Sequence, residues 1–448
     1  MTTPRSTTWC VIGAGPSGLT ALKNLRACGI EAECLDREEG LGGNWRFGAA
    51  SSRIFSSTRL ISSKSLTAYT DFPMPRHWPA YPSHALCLEY LERYAERFGL
   101  LPHIRPRSVV ERVEPATEGG WSVRLADGRQ RHYTGVVIAA GHNHEPRFPD
   151  IPGRFSGPFL HAADYKSPTQ PVDLAGRRVL VIGGGNSACD IAVDASGQAA
   201  RTVLSLRRGY YVVPRFIMGR PADLRSERLL KLGLPLWLRR MLSLRAIARE
   251  IGLPWRHGLP RPDHKLWESH PIVNGDLCRL VARGRIVPAG PVARFEGDTA
   301  IFTDGRRETF DVVICASGYR ITHPFIDGVH LAAAEDGCPR LFLNLLHPDR
   351  DDIAAVGLIQ PDSGQWGLTD LQSQLVARMA VAARHSPKAS AWLYRVRRRP
   401  PVPGPIRYVD SPRHRLEVEH FSYAQTLRRL VAALDRRLRA SGSVPGSA

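Results

Sequence analysis

Three glycines, Gly13, Gly15 and Gly18 in "GAGPSG", follow the short apolar run "CVI" at residues 10–12. Glycines at that spacing suit one task, the close approach of backbone to a pyrophosphate. The first makes a tight turn, the second admits the phosphate, and the third lets helix pack on strand. The helix that starts at Pro16 and Ser17 offers free N–H groups and a partial positive charge to the anion. A second apolar run, "IEAECLD", ends at Asp36, about 20 residues on, where a carboxylate accepts hydrogen bonds from ribose hydroxyls.

The unit recurs in "VLVIGGGNSACDIA", with Gly183, Gly185 and Ala188 after the strand expected at 179–182 and with Asn186 and Ser187 opening the helix. Its second strand, "TVLSL", ends without an acid: Leu206 stands in the place of Asp36 and is followed by Arg207 and Arg208. Arginine there accommodates a 2′-phosphate. The acid-terminated unit suits FAD and the arginine-terminated one NADPH, a pairing that implies hydride transfer. The alternative for the arginines is two surface residues with no ligand.

The elements that must position these groups belong to a chain of 448 residues, long enough for two or three domains. With 43% hydrophobic and 23% charged residues the composition is that of a globular protein. No run approaches the roughly 18 apolar residues that a spanning helix needs. The N-terminus enters the glycine motif at once, which reads as a chain without a signal peptide and as a cytoplasmic location. The 8 cysteines are scattered with no C-x-x-C, which argues against a structural zinc or an iron–sulfur cluster, so no metal site is expected. The formal charge of +19 comes mostly from arginines spread along the chain; with no basic face and no interleaved aromatics, nucleic acid is not expected as a partner.

Between the two glycine motifs lies "FSGPFLHAADY", with Phe155, Gly157, His161 and Tyr165 in the order F-x-G-x-x-x-H-x-x-x-Y. This segment resembles the signature of the flavin-containing monooxygenases. So do "GGNW" (Gly43, Asn44 and Trp45 within it), "TDFPMP", "SLRRGYYVVPR", "HPIVNGDL", "DVVICASGY" (with Ser317, Gly318 and Tyr319) and "VGLIQPDSG" (with Gln360). They fall in family order from about residue 8 to residue 385. The resemblance implies that these residues, with Gly141 after the strand "GVVIA", help hold the two cofactors. It also implies that the histidine segment is a hinge aligning the NADPH domain over the flavin. In that family NADPH reduces FAD, O2 adds to give a C4a-hydroperoxyflavin, and one oxygen passes to a soft nucleophile, nitrogen or sulfur, of a small organic substrate. A dry, shaped pocket serves that chemistry, not a catalytic triad.

One departure concerns the reacting centre. The family reads N-(T/S)-S-K ahead of its "FSDFP" segment, and the asparagine helps hold the flavin–oxygen adduct. Here Ile61 stands in its place, followed by Ser62, Ser63 and Lys64. An aliphatic side chain cannot donate that bond, so one of the serines or bound NADP+ substitutes, or the adduct leaks peroxide. Two alternatives therefore stay open: a Baeyer–Villiger or other carbon-directed oxygenase, and an NADPH oxidase or flavin reductase. Tyr165 followed by Lys166 points to the heteroatom branch, since the Baeyer–Villiger pattern ends in tryptophan or proline followed by aspartate.

The expected architecture is α/β, with two Rossmann-like dinucleotide-binding domains, the NADPH domain inserted in the FAD domain, and a helical insertion. The boundaries read as an FAD domain over 1–155 and 322–448 (ending in a C-terminal helix and a tail "ASGSVPGSA"), an NADPH domain over 156–215 and 276–321, and the insertion over 216–275. The insertion alternates leucine-rich and arginine-rich positions, either packed on the body or on a second subunit, or a basic amphipathic surface for peripheral membrane contact. The expected partners are a small-molecule substrate and O2, with a homodimer left open.

Overall fold

The computed structural model describes residues 7–335, 337–400, 404–411 and 414–442. Residues 443–448 of the expected tail lie outside that range.

Two five-stranded sheets form the frame. The first begins with Trp9–Ile12, whose four residues are all buried; "WCVI" is the continuous apolar run that a parallel strand covered on both faces requires. It pairs in parallel with Ala32–Leu35 on one side and Gly135–Ile138 on the other. Ile104–Arg105 extends one edge, and Ile353–Ala355 completes the other against Gly135–Ile138. The second sheet orders Phe159–His161, Val312–Cys315, Arg178–Ile182, Arg201–Ser205 and Ile286–Ala289, all parallel. All of its strands fall in sequence between two strands of the first sheet. The α/β class and the nesting of one dinucleotide fold inside another are as expected.

Helix Pro16–Ala27 buries Leu19, Leu22 and Leu25 completely, residues at the three-residue spacing of one helix face. Burying each is worth about 1.5–3 kcal/mol. That face packs on the long helix Trp366–His385. Asp370 of that helix is fully buried, yet its Oδ1 accepts from Thr20 Oγ1 and Asn24 Nδ2, each at 2.8 Å. A buried charge is tolerated when such bonds satisfy it. The "ADGR" and "TDGR" turns join strands Trp121–Leu125 to Gln130–Tyr133 and Thr299–Phe302 to Arg307–Thr309, as hairpin signals should.

The segment after residue 215 forms helices Ala222–Lys231 and Leu236–Ile251. The first buries no residue and the second only Arg239, Ser243 and Ile247, while Leu232 (72% exposed) and Trp237 (67%) face solvent. Helix His420–Ala440 ends the described chain. Among the described residues no helix is long and apolar enough to cross a membrane, and no cluster of ligands could hold a metal ion. Six of the cysteines are buried and all eight are free.

Candidate functional site

Gly13 has φ +104°, and a Cβ there would fall 2.7 Å from Ala139 O; a Cβ at Gly18 would fall 1.7 Å from Gly13 O. The turn is therefore closed to every larger residue at both positions. Helix Pro16–Ala27 has Gly15 at its N-cap and no side chain bonded to its first amides. Those amides stay available to an anion. Asp36 follows strand Ala32–Leu35, is buried, and accepts from the N–H groups of Ala14 and Glu38. Burial raises its carboxyl pKa, partly offset by those two donors. Each oxygen keeps a lone pair for a ribose hydroxyl.

The "GGNW" segment docks on this turn. Gly42 N donates to Ala14 O at 2.9 Å, and a Cβ on Gly43 would lie 2.9 Å from Gly15 Cα. Asn44 Oδ1 accepts from Arg53 N at 2.7 Å, while Trp45 meets Trp366 edge-on at 5.5 Å. Ser17 abuts Gly357, where a Cβ would fall 2.1 Å from its hydroxyl oxygen. The chain leading to Gln360 thus runs against the first glycine turn.

The second turn repeats the design. A Cβ on Gly183, at φ +145°, would fall 2.4 Å from Ala316 O, and helix Asn186–Ala195 starts from Gly185 with no side-chain cap. Asn186 is turned to the segment "HPIVNG": its Oδ1 accepts from Val273 N at 2.8 Å and its Nδ2 donates to Pro271 O at 3.4 Å. Ser187 is exposed. The two arginines that the sequence treats alike are separated. Arg207 is exposed and makes no ion pair among the described residues, whereas Arg208 donates to Asp263 Oδ1 at 2.5 Å. Asp263 thus pairs with Arg208, and Arg207 has no such carboxylate among the described residues.

Two chain crossings join the sheets. Strands Glu145–Pro146 and Tyr319–Arg320 pair antiparallel, Arg147 N donates to Gly318 O at 3.0 Å, and the Ser317 hydroxyl donates to Arg147 O. Gly141 and Gly318 both have positive φ, +77° and +86°. Tyr319 meets His161 edge-on at 5.2 Å, and burial raises its hydroxyl pKa to about 12. In the histidine segment the Tyr165 hydroxyl donates to Asp194 of helix Asn186–Ala195 at 2.8 Å, while Lys166 Nζ donates to Ser52 O at 2.9 Å. The segment thus grips the second glycine-turn helix with one residue and the first domain's loop with the next.

Ile61, Ser62 and Ser63 lead into the short helix Lys64–Thr67 and meet the 216–275 segment through Asp223. The Ser62 hydroxyl is paired with Thr67 Oγ1 at 2.8 Å; the Ser63 hydroxyl is buried beside the Asp223 carboxylate, on which it acts as a donor that lowers the pKa against the burial that raises it. Ser63 N donates to Asp223 Oδ2 at 2.6 Å. A Cβ on Gly364 would fall 2.0 Å from Leu66 O, so the "QPDSG" segment presses against the same loop. Gln360 lies on strand Gln360–Pro361, which pairs with Glu417–Val418.

The structure adds residues that sequence reasoning missed: Asp223, His270, Asp362 and Glu417. His270 and Asp362 sit inside quoted segments, but nothing in their spacing marks them as partners. Glu417 lies far beyond the last recognisable segment. A cavity of about 470 Å³, lined by Trp9, Ile30, Thr134, Arg350 and Arg384 among others, opens at Trp9, the end of the strand opposite Gly13. It belongs to neither turn.

Residues 7–436 match the model of the family described as Flavin-binding monooxygenase-like. Rat flavin-containing monooxygenase 5 is 32% identical over 446 residues, covering 94% of this chain and 82% of the relative. Rabbit dimethylaniline monooxygenase [N-oxide-forming] 2 is 33% identical over 397 residues, covering 82% and 72%. Among solved structures, a double mutant of the flavin monooxygenase from Stenotrophomonas maltophilia superposes with TM-score 0.64 at 25% identity, covering 85% of this chain and 99% of that one. A match over nearly the whole chain, to a model and to curated relatives alike, shows that the protein belongs to the flavin-binding monooxygenase-like family.

Proposed function

We propose that this flavin monooxygenase transfers one oxygen atom from O2 to a neutral nitrogen or sulfur of a small organic substrate. Its cofactors are FAD and NADPH, and the residues fit both. The uncapped amides after Gly15 would hold the FAD pyrophosphate and Asp36 its ribose; the amides after Gly185 would hold that of NADPH and Arg207 its 2′-phosphate. When bound, reduced flavin supplies the oxygen activation and NADPH the electrons. The chain's own share is placement and exclusion of water. Asn186 ties the second turn to the segment that begins at His270, Gly357 runs against the first turn, and Gly364, a few residues on, presses against the stretch that follows Ile61–Ser63. The Ser63 hydroxyl, buried beside the Asp223 carboxylate, is the donor that loop can offer; Ile61 offers none.

The observation that carries the reading is the presence of two glycine-turn helices with uncapped N-termini in one chain, the first of them linked through Gly357 and Gly364 to the loop that carries the Ser63 hydroxyl. Oxygen transfer to a soft lone pair needs no stronger acid or base there. The N-oxide-forming name of one relative supports nitrogen as an acceptor. The test supplies holoenzyme with NADPH, O2 and, separately, a tertiary amine, a thioether and a cyclic ketone, with products read by mass spectrometry. N-oxide or sulfoxide is expected. Lactone alone moves the enzyme to carbon-directed oxygenation, and stoichiometric peroxide without product makes it an oxidase.

A further inference from the structure

Beside the loop just described lies a group of buried polar side chains that the proposed chemistry does not use. Glu417 is 7% exposed, and neither of its carboxylate oxygens makes a hydrogen bond. His270 Nδ1 lies 3.5 Å from Glu417 Oε2 and is equally unbonded. The Tyr408 hydroxyl is a third buried orphan. Asp362 and Glu419 act electrostatically on Tyr408 together with Glu417, and Arg239 feels Glu419 and Asp362. Glu419 is satisfied, since it caps helix His420–Ala440 by accepting from Phe421 N and Ser422 N.

The location of this group is fixed by backbone. Strand pairing sets Glu417 opposite Gln360, and Gln360 N donates to Leu416 O at 2.7 Å. His270 precedes Pro271, whose carbonyl accepts from Asn186 of the second glycine turn. Glu417 therefore stands between the strand that follows the flavin turn and the segment bonded to the NADPH turn. His270, Asp362 and Tyr408 reach it from three separate parts of the chain, so the clustering is no accident of one local turn.

Buried acceptors without donors are costly, and each unmet bond asks for a partner. Among the described residues, three carboxyl groups share one guanidinium, Arg239, and the His270 imidazole, on a chain whose formal charge is +19. What would satisfy the site is a compact cation with several N–H donors, such as an ammonium. We infer that Glu417, supported by Asp362, His270 and Tyr408, binds a cationic group of the substrate, so that the preferred substrates carry an ammonium or guanidinium a short reach from the neutral nitrogen or sulfur that is oxidised. This rests on the monooxygenase reading above. The balance is that of any such transfer: NADPH, a proton, O2 and a thioether give NADP+, water and a sulfoxide, with the ammonium untouched. Asp362 strengthens the site at alkaline pH. Burial, aided by Glu419 and Glu417 and opposed by His420 N and His270, raises its carboxyl pKa to about 7.

The experiment uses holoenzyme and three thioethers of matched size: 2-(methylthio)ethylamine, methyl propyl sulfide and 3-(methylthio)propanoate. Sulfoxide formation gives kcat/KM, and perturbation of the flavin absorption on titration gives Kd without turnover. At pH 8 the ammonium compound is expected to exceed its neutral isostere at least about tenfold in both, with the carboxylate last, and Glu417→Gln to bring the ratio close to one. Asp362→Asn replaces that variant if it loses flavin, and the wild-type series stands without either. Equal handling of the ammonium and neutral compounds overturns the inference. So does a Glu417→Gln protein that keeps the wild-type ratio while its KM for NADPH rises. Preferential binding of the ammonium compound without any sulfoxide leaves the cation site standing and removes the oxygen-transfer reading instead.

Discussion

Ser63 and Asp223, 160 residues apart, are joined by a 2.6 Å hydrogen bond from the backbone N–H of the first to the carboxylate of the second. The loop carrying Ile61, Ser62 and Ser63 is thereby pinned by the first turn of helix Ala222–Lys231, an element that otherwise buries nothing. Asp223→Ala leaves the Ser63 amide without its acceptor, a loss of about 1–3 kcal/mol. The variant should melt several degrees lower and release more hydrogen peroxide per NADPH consumed. Unchanged peroxide would show that the loop is held by its other contacts.

Placing an amide donor at position 61 should do the reverse. Ile61→Asn is expected to lower peroxide per NADPH, measured with a good substrate present, by about twofold or more if one net hydrogen bond is gained. The nearby Ser63→Ala should raise it, because it removes a buried hydroxyl donor of that loop and its contact with Asp223. Equal ratios in both variants and wild type would mean that the loop does not control coupling.

The unequal arginines give a cofactor prediction. Arg207→Ala removes the cation with no protein partner and should raise KM for NADPH about tenfold or more while barely moving that for NADH. Arg208→Ala removes one already neutralised by Asp263 and should change the NADPH to NADH ratio about threefold or less. Steady-state kinetics with both coenzymes separates the two.

At Gly18 an added Cβ would sit 1.7 Å from Gly13 O, and the obstacle is backbone. Gly18→Ala should purify colourless or with a small fraction of bound FAD. A fully yellow Gly18→Ala protein would refute the first turn as the flavin's phosphate site.

Three imidazoles make the fold acid-sensitive. Burial lowers the pKa of His142, His323 and His420 to about 4, below the roughly 6.5 of an unfolded chain. Their neutral forms belong to the native state, so their contribution is complete above pH 6.5 and is lost as pH falls toward 4. Asp362 runs oppositely: its raised pKa of about 7 gives stability present below the unfolded value near 3.9 and lost as pH rises through 7. Comparing Tm at pH 7 and pH 5, His323→Gln should show a smaller drop than wild type and Asp362→Asn a larger one.

The nucleotide turns were legible because backbone geometry dictates them. Gly13, Gly18 and Gly183 each sit where a Cβ would strike a carbonyl, and such positions leave a mark in the sequence whatever surrounds them. The parallel strands were legible for a similar reason, since a strand covered on both faces must be apolar throughout. Glu417 was not. It reads as one more acid in a charged C-terminal stretch, and only pairing with Gln360 from a distant part of the chain reveals it as buried. The difference between Arg207 and Arg208 was hidden likewise, because Asp263 reaches Arg208 from 55 residues away. What depends on local steric limits was readable, and what depends on which side chain a remote segment delivers was not.

Ile353–Ala355, the last strand of the first sheet, pairs with Gly135–Ile138, and the whole second sheet is written between them. During synthesis the ribosome therefore releases a complete second sheet by residue 315, while the first still has a bare apolar edge at Gly135–Ile138. Closure of that edge waits on non-local pairing, the slow and aggregation-exposed kind. The nascent protein has a platform for its reductant before it has a finished one for its flavin. Slowed translation or a lowered growth temperature, by giving late strands time to find early ones, should improve the yield of folded enzyme more than added flavin does.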